Sequence, residues 1–241
     1  MLVHGVGVGP EAFTAVARRL SEDGRSVHRI VRPGYDDADP NPSTVFEPFG
    51  LETQVDLIIE GIMQRNEQPT VWVGVSGGAT LGVIAAARRP GVIAGALLHE
   101  PLIGSSAAAL HDGVQAAAAR LRIGQREPAT VESSAADFVA GLVGAESWAA
   151  LGSAGRASVV ARAGLVGTEV PYFARFEAPH VDDDDVPVVI TVGAKSPGPR
   201  HEAAERAADL LLGTVVVIPG VGHLPQVEAP DAFAELIRSI A

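Results

Sequence analysis

Gly74-Val75-Ser76-Gly77-Gly78 fits the pattern G-x-S-x-G. That spacing serves one kind of chemistry: a tight strand-to-helix turn pushes a serine hydroxyl forward as a nucleophile, and small neighbours keep helix and strand from clashing with it. In a chain with 27 glycines the pattern alone is also compatible with a plain β–α turn, so its placement matters. Val71 to Val75 reads as a short β-branched strand after Pro69, and Ser76 to Arg89 as a helix stopped by Pro90-Gly91. A second turn, Val3-His4-Gly5-Val6-Gly7, ends the first apolar segment. The backbone N–H of Val6, together with that of Gly77, can form a two-donor hole for a tetrahedral oxyanion. His4 suits a structural role in this turn better than a catalytic one. Pro219-Gly220-Val221-Gly222-His223 puts a histidine on a glycine-rich loop directly after the last strand, on the side where parallel sheets bind ligands. A lone loop histidine is commonly structural, but His28, His99, His111, His180 and His201 lack this combination of position and company.

The elements that must position these groups alternate. Strand patterns at Met1-Leu2-Val3, Ser26 to Val31, Val71 to Val75, Ala94 to His99, Val186 to Val192 and Thr214 to Ile218 are separated by helical spacing. The helices are expected over Glu11 to Asp23, Leu51 to Arg65, Ser76 to Arg89, His201 to Leu212 and Asp231 to Ile240. This rhythm predicts an α/β fold, a mostly parallel, doubly wound sheet covered on both faces. Residues 36–48, rich in Pro and Asp, read as a loop. From Leu102 to Asp185 only helical patterns occur, among them Ser106 to Arg122, Val131 to Val143 and Thr168 to Phe176. The expected organisation is therefore a core of residues 1–101 and 186–241 with an inserted helical cap over 102–185. Asp182 to Asp185 reads as a solvated loop.

Composition narrows the function classes. A formal net charge of −11 repels phosphate backbones and argues against nucleic-acid binding. With no cysteine, disulfides, thiolate catalysis and zinc–cysteine sites are excluded. No apolar run reaches membrane-spanning length and no charged-then-apolar leader opens the chain, so a cytoplasmic protein without a membrane partner is expected.

These motifs, in this order along nearly the whole chain, resemble the α/β-hydrolase family: the His4-Gly5 turn, Arg32-Pro33-Gly34-Tyr35, the elbow at Ser76 and the His223 loop. The helical insertion is similar to that family's cap. Two departures accompany the resemblance. The family sheet usually opens with two strands before the oxyanion turn. Here either those are absent, leaving Ser26 to Val31 at the sheet edge, or the start lies inside a longer product. The family also usually keeps its triad acid in a Gly-x-x-Asp pattern after the seventh strand, where this chain reads Gly193-Ala194-Lys195-Ser196. Some relatives carry the acid after the sixth strand instead. The resemblance then implies Glu100, in Leu98-His99-Glu100-Pro101, as the acid, the alternative being a structural carboxylate at the cap hinge. Ser196 would be a bystander.

The resemblance implies a serine hydrolase acting on an ester, lactone or thioester of a small, largely apolar metabolite. Ser76 is the nucleophile, His223 the base and Glu100 its partner, with no metal or cofactor. The base should titrate near the ordinary histidine range, at about pH 6 to 7. Phe138, Trp148, Tyr172, Phe173 and Phe176 are the candidate substrate-facing residues, each equally at home in the cap's own core. Two other readings use the same residues: a lyase or cyclase working with the Ser–His pair, and a ligand-binding sensor on a hydrolase scaffold.

Overall fold

Six short segments rich in Val, Leu and Ile pair side by side: β1 (Leu2–Val3), β2 (Arg29–Ile30), β3 (Thr70–Val75), β4 (Ile93–His99), β5 (Val188–Gly193) and β6 (Thr214–Ile218). In the computed structural model every pairing is parallel, and the spatial order is β2-β1-β3-β4-β5-β6. The structure describes residues 1–35, 50–65, 69–103, 137, 141, 144–181 and 185–240. The order reverses between β1 and β3. At such a switch point the connections leave toward opposite edges, and a crevice opens outside the strands' carboxyl ends.

Helices cover both faces because the pleat sends alternate side chains to opposite sides. Val73, Val75 and Leu97 face one layer, made by α1 (Thr14–Glu22) with Val16 and Leu20 and by α9 (Pro230–Arg238) with Phe233 and Ile237. Trp72, Ala96 and Leu98 face the other, made by α2 (Leu51–Met63), α3 (Gly77–Arg88) and α7 (Gly198–Leu211). Among the described residues, the helices α4 (Ala145–Ala150), α5 (Gly152–Ala161) and α6 (Ala163–Ala174) lie between β4 and β5 in the chain, and a four-residue α8 (Pro225–Glu228) follows the last strand.

The sequence reading of β2 is too long: only Arg29–Ile30 joins the sheet, because its one neighbour, β1, offers just two residues to pair with. The last helix stands where its spacing predicts, and the short α8 precedes it. Both α8 and α9 have proline in the first turn, where its missing N–H costs no intrahelical bond. The expected pieces Ser106 to Arg122 and Val131 to Val143 fall almost entirely outside the described residues, as do the loop at 36–48 and most of the Asp182–Asp185 run.

α3 lies against the sheet through glycines four residues apart. A Cβ on Gly78 would stand 2.2 Å from the Val3 carbonyl oxygen, and one on Gly82 would stand 2.3 Å from Leu98 Cδ2. Backbone cannot yield as a flexible side chain does. Gly78→Ala should therefore lower stability by about 1–3 kcal/mol or more, read from urea unfolding against wild type.

Candidate active site

Both chemical turns open into the crevice between β1 and β3. Ser76 has φ 54° and ψ −120°, a strained backbone for a residue with a Cβ. The elbow is held by Ser76 N–H donating to the His99 carbonyl at 2.8 Å and by Trp72 Nε1 donating to the Gly78 carbonyl at 3.0 Å. Gly74 permits the sharp reversal, since a Cβ there would meet Gly78 O at 2.3 Å. The β1 turn packs directly on Ser76: a Cβ on Gly5 would lie 3.0 Å from Ser76 Cβ. A Cβ on Gly77 would lie 3.0 Å from Val6 Cγ2 and 2.9 Å from Phe173 Cζ. Val6, Gly77 and the Phe173 ring thus share one small space beside Ser76.

Glu100 follows β4 with φ 49°, a second strained non-glycine residue. The bend turns its buried carboxylate across the ends of β4 and β5. Oε1 accepts from Gly193 N–H at 3.0 Å and Ser196 Oγ at 2.5 Å. Oε2 accepts from His223 Nδ1 at 2.6 Å and pairs with Arg200 Nη1 at 3.2 Å. An ionised carboxylate only accepts, so the His223 proton sits on Nδ1 and the Nε2 of the neutral ring is left with its lone pair free to accept. Burial alone would raise the Glu100 pKa. His99, the His223 contact and Arg200 outweigh it and hold the carboxyl well below the usual range. Ser196 is accordingly no bystander: at the place where a triad acid was sought, it donates to the carboxylate that stands after β4.

The His223 loop reaches this carboxylate because Gly193 has no side chain; a Cβ there would lie 2.4 Å from Gly222 O. His99 accepts from or donates to Thr191 Oγ1 at 2.9 Å and meets the Gly222 carbonyl at 3.2 Å. Glu228 accepts from the N–H groups of Gly222 and Leu224 on either side of His223, at 2.8 and 3.0 Å. Among the described residues no hydrogen bond joins Ser76 Oγ to His223; such contacts often tighten only around substrate.

Burial first, and then the Arg200 guanidinium, lower the His223 pKa to about 4, against the opposing pull of Glu100. This corrects the expected limb at pH 6 to 7. A base must be neutral, so activity is lost as pH falls through the pKa. The acidic limb of kcat/KM should lie near pH 4, measured on any turned-over ester; a limb at 6 to 7 would contradict it.

The turn after β1 is clamped by residues the sequence reading did not single out for a task. Arg32, fully buried, donates from Nη1 to Gly5 O at 3.2 Å and from Nη2 to Gln54 Oε1 at 3.0 Å. Tyr35 OH accepts from Gly7 N–H at 2.8 Å and donates to Glu169 Oε2 at 2.7 Å. Glu169, buried on α6, also forms an ion pair with Arg32. Val6 is therefore fixed from both sides, and α6 is tied to the turn. His4 Nδ1 meets Gly5 O at 3.0 Å and its Nε2 accepts from Arg32 N–H at 3.3 Å. Burial, then Arg32, push the His4 pKa well down, so the ring is a neutral strut.

Of the four described aromatic candidates, Phe173 is the one against Gly77, the neighbour of Ser76. Trp148 and Phe176 are half-buried against the main core, Tyr172 is 38% exposed, and Phe138 lies outside the described residues. No cluster of three or more His, Cys, Asp or Glu suited to a metal occurs among the described residues. Nor is any described helix long and apolar enough to cross a membrane.

A model of the alpha/beta hydrolase family matches residues 1–236. No curated protein matches the chain. Among solved structures it is similar to a thermophilic esterase from Thermogutta terrifontis (malate bound), with TM-score 0.71, 20% identity, and 99% of this chain and 87% of that chain covered. It is similar to MenH from S. aureus, with TM-score 0.75, 15% identity and coverage of 99% and 92%. It is also similar to the enol-lactonase from Burkholderia xenovorans LB400, with TM-score 0.69, 15% identity and coverage of 99% and 90%. At these identities the likeness is one of fold.

Proposed function

We propose that this chain, which belongs to the alpha/beta hydrolase family, is a serine hydrolase cleaving an ester, lactone or thioester of a small, largely apolar metabolite. The observation that carries this reading is the 2.6 Å bond from His223 Nδ1 to the buried Glu100 carboxylate, beside an elbow that strains Ser76. Ser76 Oγ attacks the substrate carbonyl carbon while His223 Nε2 takes its proton. The carbonyl oxygen becomes an oxyanion held by the Val6 and Gly77 amides. Collapse breaks the bond to the leaving alkoxide or thiolate, which takes the proton from His223. Water, deprotonated by the same ring, then attacks the acyl-Ser76 and restores the serine. The segment over 102–185 acts as the cap, with Phe173 presenting an apolar wall to the acyl or leaving group.

Two measurements test this. A fluorophosphonate should label the protein on Ser76, mapped by peptide mass; a pure binder would label poorly. A panel of short- and medium-chain esters, lactones and thioesters in 18O-water should give an acid product carrying the isotope. Turnover without incorporation would replace hydrolysis by a lyase or cyclase reaction.

A further inference from the structure

Arg200 is a buried cation that no step above employs. It sits in the first turn of α7, 3% exposed, with Nη1 3.2 Å from Glu100 Oε2. That oxygen is the one bound by His223 Nδ1. The ring is faced, among the described residues, by Glu100 and His99 from the end of β4, Arg200 from α7 and Glu228 from α8. Burial lowers the His99 pKa from the ordinary value, against the pull of Glu100. Glu228 spends its carboxylate oxygens on two loop amides and the Ser147 hydroxyl.

We propose that Arg200 is a positioning residue for the Glu100–His223 pair, a buried cation that locks the carboxylate and opposes positive charge on the imidazole. The geometry argues it directly. An ionised carboxylate has about four lone-pair sites, and here Gly193 N–H, Ser196 Oγ, Arg200 and His223 supply a donor to each. With three of the four fixed by backbone, loop and guanidinium, the fourth direction is left to the ring. The same cation makes imidazolium costlier, because like charges a few ångströms apart in a dry site repel strongly. The base is kept in its working, neutral form to lower pH.

The proposal rests on the reading of His223 as the base, and its test separates the two. In protein with 13C-labelled histidine, the His223 Cε1–H signal, assigned by its loss in His223→Gln, is titrated in wild type, Arg200→Gln and Arg200→Lys. Arg200→Gln should titrate about one to two pH units above wild type, and Arg200→Lys, which keeps the charge, close to it. An Arg200→Gln protein titrating with wild type overturns the proposal. If melting shows Arg200→Gln unfolded, the uncharged Arg200→Met decides in its place: a curve about one to two pH units above wild type supports the proposal, and one that coincides with wild type overturns it. The pH dependence of fluorophosphonate labelling should move in parallel. A wild type that resists labelling while Arg200→Gln titrates higher would sink the hydrolase reading and leave the hold of Arg200 on His223 standing.

Discussion

Ser76→Ala should lower kcat by about 10⁶ while leaving the fold intact, since loss of the nucleophile leaves only oxyanion and binding contributions. The change removes one oxygen from a residue whose backbone does the structural work. The amide of Ser76 bonds to His99 O and its carbonyl accepts from Ala79 and Thr80. None of these involves the hydroxyl, and alanine carries the same Cβ into the same strained φ of 54°. The melting temperature should stay within a few degrees of wild type, and fluorophosphonate labelling should vanish. Near wild-type turnover in the purified variant would mean that another residue attacks.

The readable parts of this chain are those determined by local chemistry. β3 is buried along most of its length, so an unbroken β-branched run betrays it, and Gly74 before Ser76 is demanded by a contact with Gly78 only four residues away. The positions of His223 and Glu100 follow in the same way, each from a turn closing a strand. Partners brought in by tertiary packing leave no such trace. Arg32 and Glu169 are 137 positions apart and read as two ordinary surface charges until the fold buries them together. Arg200 lies in a helix whose sequence suggests solvent, and Ser196 was judged by what it lacked rather than by what it could donate. The misplaced pH limb has the same origin. Histidine type sets the starting value, but burial and a cation from another element move it, and neither is written near His223. The overlong edge strand fails for a related reason: pairing depends on the neighbour, and β1 supplies only two residues.

Glu100→Gln tests the pair most severely, because the substitution preserves shape and inverts one half of the hydrogen bonding. The carboxylate faces four donors. Glutamine offers one accepting oxygen and one donating NH2, so on one side the groups that donated to the carboxylate lose their acceptor. If the NH2 faces Gly193 and Ser196, two N–H or O–H groups lose their acceptor and Arg200 loses its counter-charge. If it faces His223, the ring must accept at Nδ1 and carry its proton on Nε2, which removes the base from Ser76. Either way the imidazolium formed during attack has lost the carboxylate bonded to its Nδ1. The expected loss in kcat is about 10⁴, by analogy with the same change in the serine-protease triad. Ser196→Ala removes one donor of four and leaves the charge in place, so it should cost far less. Both variants are compared on one ester at one pH above the acidic limb, with melting curves to confirm folding. A nearly silent Glu100→Gln would take Glu100 out of the mechanism, and a carboxylate in the 182–185 run that proved essential would take its place.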